Sequence, residues 1–265
     1  MSNTLKLDMN KATAGLRLSL QKLGINVPPE MELAFNLDVS GSFDDEHRGG
    51  LTQGLLTRLV PWGMVFDPDK KMDVFTFSSG PEYAHYVGEI TAESYEGYIE
   101  KRIIGKVPGY GQGTDYVHVL RKNLQHFGYG NQPAVVAAKP QGGGMFSRLF
   151  SGSKPAIQNA VQPAATPAKK RALVIHVTDG DNNNGDKEPT RRLLRESADR
   201  GDLVYFLFIG CSNQPGEFSY IEALGDEFPN VGLAKISDIG RFVAMSDDEV
   251  NGQLIGDELV EWLKK

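Results

Sequence analysis

The chain has 265 residues, of which 40% are hydrophobic and 23% are charged, a composition typical of a globular protein with a sizeable core. Its net charge of −6 argues against a protein that mainly coats nucleic acid, so we expect no nucleic-acid partner. A single cysteine, Cys211, excludes an internal disulfide, and the sequence shows neither a membrane-spanning apolar segment nor a secretory signal, so we expect a cytoplasmic protein.

Strand and helix patterns alternate along most of the chain. Residues 1–30 are predicted to form an N-terminal leader segment, and residues 31–265 are predicted to form one domain. Short runs that are apolar on both faces are typical of parallel strands covered by helices on each side. Such runs occupy 31–38, 72–79, 171–179 and 202–210, with weaker strand patterns at 84–90 and 231–237. Helical spacing occupies 50–60, 114–127, 188–200 and 247–265.

This alternation predicts an α/β fold. We expect a doubly wound, mostly parallel central sheet of about six strands, with right-handed crossovers and helices on both faces. In such sheets ligands bind outside the carboxyl ends of the strands. The functional residues are therefore to be sought where the strands end.

The stretch from 130 to 170 does not follow the strand and helix pattern. It is rich in Ala, Pro, Gly and Gln and contains basic but no acidic residues, so it is predicted to be a disordered basic insertion in the domain. Its centre, MFSRLF at 145–150, carries apolar residues at helical spacing. The segment is either part of a long loop or a short helix that docks weakly on a protein partner or an anionic membrane surface.

Polar side chains follow two of the predicted strands. The first strand passes into Asp38, Ser40 and Ser42, and another ends at Asp179. The glycine-rich loop GYGQGTDY at 109–116 adds Thr114 at the predicted start of a helix. Parallel strands end at the same sheet edge, so we expect these side chains to lie together. The alternative is that a single residue, Ser42 or Asp44, simply caps the following helix, which leaves the other oxygens unexplained.

The predicted site carries only oxygen ligands. Three hydroxyls and two carboxylates suit a small, hard divalent cation such as Mg²⁺ or Mn²⁺, and Ca²⁺ also takes oxygen ligands. Hydroxyls are neutral and weak, so they leave the ion electrophilic. A carboxylate from a partner protein would then complete its coordination. Hydrolytic metal sites usually attach more carboxylate or histidine directly and add a general base.

Three sequence elements, DVSGS, the GTDY loop and the strand-terminal TDG, resemble in order the metal-ion-dependent adhesion site of von Willebrand factor A domains. The resemblance spans 31–265 and implies the doubly wound fold. It also implies that Ser40, Ser42 and Thr114 contact the metal through their hydroxyls, while Asp38 and Asp179 act mainly through water or hydrogen bonds.

Within that family, GTDYVHVL and the leader at 5–25 look most like the bacterial tellurium-resistance type. This resemblance implies a role in bacterial stress responses to toxic oxyanions and phage. The oxygen set at one sheet edge, with no recognisable base or nucleophile in the sequence, leads us to expect a non-enzymatic module that binds a partner through a divalent metal. The alternatives are a Mg²⁺-dependent hydrolase of a phosphate ester or nucleotide, and a scaffold that acts through its basic loop.

The remaining candidates are predicted to be structural. The loop at 179–186 resembles a calcium loop only at its first ligand positions, because Thr190 stands where the motif requires glutamate. His47 is predicted to be a solvated residue in a first helical turn, with the rim of the metal site as the alternative. His176 is predicted to be a packed core residue, and Cys211 a structural one.

Overall fold

A computed structural model of the chain describes residues 7–130, 168–212 and 218–265, and a six-stranded sheet forms its framework. The strands are β1 (Glu32–Asp38), β2 (Lys71–Phe77), β3 (His85–Thr91), β4 (Ala172–Thr178), β5 (Val204–Gly210) and β6 (Val231–Lys235). Their order is β3-β2-β1-β4-β5-β6, and every neighbouring pair is parallel except β2 and β3. The predicted α/β architecture with a mostly parallel sheet is confirmed.

Helices cover both faces of this sheet. They are α1 (Met9–Lys22), α2 (Asp44–Arg48), α3 (Leu51–Phe66), α4 (Tyr98–Arg102), α5 (Val117–His126), α6 (Asn184–Asp199), α7 (Ser219–Glu227), α8 (Ile239–Ala244), α9 (Asp247–Leu254) and α10 (Asp257–Leu263). None of the helices in the described ranges has the length and apolar character needed to cross a bilayer.

Two hydrophobic cores flank the sheet because successive strand residues point to opposite faces. Leu33, Phe35 and Leu37 of β1 join the core that also contains side chains of α1, α3, α9 and α10. Ala34 of the same strand joins the second core, with side chains of α5, α6 and α7. The alternation continues to the end of β1, which places Asp38 on the α5 side of the carboxyl edge.

Part of the predicted leader forms helix α1 on the first core. Leu16 and Leu20 of this helix are buried with side chains of α3 and α9. Residues 131–167 of the predicted basic insertion, including the segment 145–150, lie outside the described residues.

The C-terminal segment differs from its prediction. Helical spacing over 247–265 predicts one helix, but the structure divides it into α9 and α10. The break lies at Ile255 and Gly256, which both leave the helical region, with ψ angles of 83° and 165°. Glycine is a poor residue for a helix interior because it loses more backbone entropy than other residues when it is ordered. The division therefore falls at one of the two glycines of the segment, whereas Gly252 stays inside α9.

Candidate metal centre

Three loops meet at the carboxyl edge of the sheet and are joined by backbone hydrogen bonds. The loop after β1 is tied to the glycine-rich loop, because Gly41 N donates to Gln112 O at 3.0 Å. The glycine-rich loop is tied in turn to the loop after β4, because Asn183 N donates to Thr114 O at 2.9 Å. The segments that carry the five predicted site residues therefore converge on one edge.

Asp38 and the two serines form the best-defined part of this site. The Asp38 carboxylate is fully buried and accepts hydrogen bonds from Ser40 N at 2.8 Å and from Thr178 Oγ1 at 2.7 Å. The hydroxyl oxygens of Ser40 and Ser42 lie 3.2 Å apart. Two hydroxyls thus meet beside a carboxylate whose orientation is fixed from both sides.

The electrostatics of Asp38 favour a bound cation. Burial raises the pKa of Asp38 to about 7, and the negative charge of Asp179 adds to this shift, although the bonds from Ser40 and Thr178 oppose it. No cationic side chain among the described residues forms an ion pair with Asp38. Buried charge is unfavourable unless it is paired, so a divalent ion would supply what this carboxylate lacks.

A divalent ion at this site would need the hydroxyl oxygens as ligands. In the ranges that the structure describes, no group of three or more His, Cys, Asp or Glu side chains could hold a metal. Thr114 and Asp179 are half-buried at the same edge. The bond to Asn183 ties Thr114 to the site through its backbone, while Asp179 acts on Asp38 through its charge. A set dominated by neutral oxygens fits a small, hard cation that keeps some of its water.

The alternative in which one residue only caps a helix is wrong. Ser42 lies in the 3₁₀ turn Gly41–Phe43, and helix α2 begins at Asp44. Neither element has a side-chain capping bond. Asp44 instead accepts a hydrogen bond of 2.6 Å from the Tyr110 hydroxyl. Ser42 is therefore free of a capping role.

His47 is a supporting residue that the sequence prediction misplaced. It is 2% exposed, so its prediction as a solvated residue is wrong. Its Nε2 lies 2.9 Å from the Asp38 carbonyl oxygen, which can only accept, so Nε2 carries the proton and Nδ1 accepts from Thr52 Oγ1 at 3.0 Å. Burial lowers the pKa of His47 to about 4, which keeps the ring neutral at pH 7. The helical spacing from Phe43, whose ring centroid lies 5.0 Å away, is the signal that indicates burial.

We expect His47→Phe to destabilise the protein by about 2 kcal/mol, because the new ring keeps the packing but removes both hydrogen bonds. The Asp38 carbonyl oxygen would lose its donor. Urea unfolding at pH 7 measures the loss. An unchanged midpoint would show that the histidine only fills space.

The other structural predictions agree with the structure. His176 is fully buried and stacks on Phe77 with ring centroids 4.3 Å apart, so it is confirmed as a core residue. Cys211 is also buried, and burial together with the charges of Asp179 and Glu46 raises the pKa of its thiol. Cys211, Asp179 and Glu46 line a cleft of about 650 Å³ beside the site.

The described architecture is a generic α/β fold of the Rossmann and von Willebrand factor A type. No known protein-family model matches the chain. The chain is 22% identical over 233 residues to the uncharacterized protein YcbR of Bacillus subtilis strain 168. The aligned region covers 86% of this chain and 76% of that protein.

A solved structure with a similar fold is proximal thread matrix protein 1 of the mussel byssus, in its second crystal form. The TM-score is 0.50 at 16% identity, over 86% of this chain and 48% of that chain. The chain therefore spans about half the length of that matrix protein. At this identity the similarity shows the fold alone.

Proposed function

We propose that this protein is a non-enzymatic interaction module that binds a partner protein through a divalent metal. Mg²⁺ is the proposed ion, and Mn²⁺ or Ca²⁺ would suit the same ligands. The metal residues are Asp38, Ser40, Ser42, Thr114 and Asp179. The observation that carries the proposal is the buried Asp38 carboxylate, which faces the charge of Asp179 and has no cationic partner among the described residues.

The five side chains would have two different roles at such a site. Ser40, Ser42 and Thr114 would hold the ion through neutral hydroxyl oxygens. Asp38 and Asp179 would supply negative charge and accept hydrogen bonds from the water that the ion retains. The bound ion supplies a positive charge that these weak ligands do not fully neutralise. An aspartate or glutamate of the partner protein is then the complementary ligand.

The setting that we propose is a cytoplasmic stress response of the bacterial tellurium-resistance type. The GTDYVHVL segment supports this setting, as does the leader at 5–25, part of which forms helix α1. The bacterial relative is compatible with it, although its name assigns no function. The proposed role is capture of an acidic partner and involves no chemical conversion.

We expect metal-stripped wild-type protein to bind Mg²⁺ and Mn²⁺ in isothermal titration, and Ser40→Ala/Thr114→Ala to bind at least about 100-fold more weakly. Two of the few direct ligands are then missing, and a hundredfold loss corresponds to about 2.8 kcal/mol. Wild-type protein that binds neither ion would contradict the proposal.

The matched control replaces a hydroxyl pair at the opposite edge of the sheet. Ser94 is exposed and Thr91 is half-buried, and their hydroxyl oxygens lie 3.4 Å apart, a separation similar to the 3.2 Å between Ser40 and Ser42. Thr91→Ala/Ser94→Ala should bind both ions as the wild type does. Once binding is established, the wild type serves as bait for an acidic partner, and capture that persists unchanged in EDTA would contradict the metal-bridged mode.

A further inference from the structure

Two carboxylates outside the metal set hold the loop that carries Thr114. We propose that Asp115 and Asp186 are positioning residues, which fix Thr114 between the loops that follow β2 and β4. This inference rests on the proposed metal-binding function and assigns two further residues to it. It predicts that both residues control metal affinity without touching the ion.

Asp186 anchors the start of helix α5 from a distant part of the chain. It lies in the first turn of α6 and is 5% exposed. Its Oδ2 accepts hydrogen bonds from Tyr116 N at 2.6 Å, from Asn182 Nδ2 at 2.6 Å and from Thr190 Oγ1 at 2.9 Å. Val117 N also donates to it, at 3.3 Å. Helix α5 has no side-chain cap of its own. Its first amide groups instead donate hydrogen bonds to a side chain of another helix.

Asp115 joins the residue next to Thr114 to both neighbouring loops. Its Oδ2 accepts from Ser79 Oγ at 3.1 Å and from Gly80 N at 2.9 Å, in the loop after β2. Its Oδ1 accepts from Asn183 Nδ2 at 2.8 Å, in the loop after β4. The backbone of Asn183 donates to Thr114 O. Thr114 is therefore held to the loop after β4 through its own carbonyl oxygen, and its neighbour Asp115 joins it to the loops after β2 and β4.

These hydrogen bonds matter because the loop that carries Thr114 is rich in glycine. Gly109 and Gly111 have positive φ angles of 74° and 82°, a conformation that glycine adopts without strain. A hydroxyl is a weak ligand, so it binds an ion well only when its position is fixed in advance. Both carboxylates already accept hydrogen bonds from several neutral donors, and none of these donors belongs to Asp38, Ser40 or Ser42. Their influence on the ion would pass through Thr114.

The first experiment is a double-mutant cycle on Mn²⁺ affinity, measured by isothermal titration of wild type, Asp115→Asn, Thr114→Ala and the double variant. Asparagine keeps the shape of the side chain but turns one acceptor into a donor that faces other donors. We expect Asp115→Asn to weaken binding about tenfold, as loss of a residue that orients a ligand does. In the Thr114→Ala background we expect Asp115→Asn to cause no further loss of Mn²⁺ affinity.

The second experiment compares Asp186→Asn with Asp67→Asn. Asp67 is also buried and accepts backbone hydrogen bonds, from Leu33 N and Asp69 N, but it lies at the opposite end of β1. We expect only Asp186→Asn to weaken Mn²⁺ binding, by about tenfold, with urea unfolding showing that both variants are folded.

The outcomes separate this inference from the proposed function. Wild-type affinity in both Asp115→Asn and Asp186→Asn would overturn the inference and leave the metal site intact. If Asp115→Asn weakened Mn²⁺ binding equally in the wild-type and Thr114→Ala backgrounds, the positioning role would be overturned. Wild-type protein that binds no metal would overturn the inference together with the proposed function.

Discussion

Replacing Asp38 with asparagine should stabilise the metal-free protein at pH 8 and remove its response to Mg²⁺. The carboxylate is fully buried, and its pKa lies at about 7, compared with an ordinary value of 3.8. Each unit of pKa shift corresponds to about 1.4 kcal/mol, so the gain can reach about 4 kcal/mol. Asparagine keeps the acceptor for Ser40 N, and Thr178 Oγ1 can still donate to Gly180 O, 3.0 Å away.

The pH dependence has a definite sign. The folded protein holds a proton on Asp38 between pH 4 and pH 7 that the unfolded chain has already lost. The stability that Asp38 confers therefore falls as the pH rises through this window. Asparagine does not ionise, so the free-energy difference between variant and wild type should be near zero at pH 4 and largest above pH 7. Urea unfolding of metal-free protein from pH 4 to pH 8 measures this difference.

The Mg²⁺ response distinguishes Asp38 from other buried carboxylates. A ligand that binds only the folded state stabilises it, so Mg²⁺ should raise the free energy of unfolding of the wild type at pH 8 but not that of Asp38→Asn. Asp67 is the control, because burial also raises its pKa, to about 6, at the opposite end of β1. Asp67→Asn should keep the Mg²⁺ response, because Asp67 lies away from the proposed metal residues. Equal stability of Asp38→Asn and wild type at pH 8 would contradict the prediction.

The sheet is predictable from the sequence because each strand is a short apolar run between polar residues. All six strands lie within two residues of their predicted ends. Asp38 and Asp179 are predictable as neighbours for the same reason, since parallel strands deliver their last residues to one edge. Local patterns are sufficient wherever the topology follows from strand and helix alternation.

The supporting residues are not predictable in this way because their partners are remote in the sequence. Asp186 binds the backbone of Tyr116, 70 positions earlier. Asn36 interrupts an apolar strand, and its partner Asn123 lies on α5, 87 positions later. A polar residue in an apolar run indicates that some partner exists, but only the packed structure identifies it.

The Asn36 amide belongs to a buried polar cluster beneath the metal edge. Its Nδ2 donates to Asn123 Oδ1 at 2.7 Å, and Asn123 Nδ2 donates back to Asn36 Oδ1 at 3.1 Å. Asn36 Nδ2 also lies 3.3 Å from Nδ1 of His176, on the neighbouring strand β4. All three side chains are fully buried. Removal of one member leaves the other amide without its main partner and without access to water.

We therefore expect Asn123→Leu to reduce the free energy of unfolding by about 3 kcal/mol at pH 7, the cost of burying unpaired amide groups. Asn251→Leu is the matched control, because that buried asparagine donates one longer hydrogen bond, 3.4 Å to Ser19 Oγ, and should lose about 1 kcal/mol. Asn36→Leu in the Asn123→Leu background should cost less than it does alone, since both partners are then apolar. Urea unfolding of the four variants tests this order, and equal losses for Asn123→Leu and Asn251→Leu would contradict it.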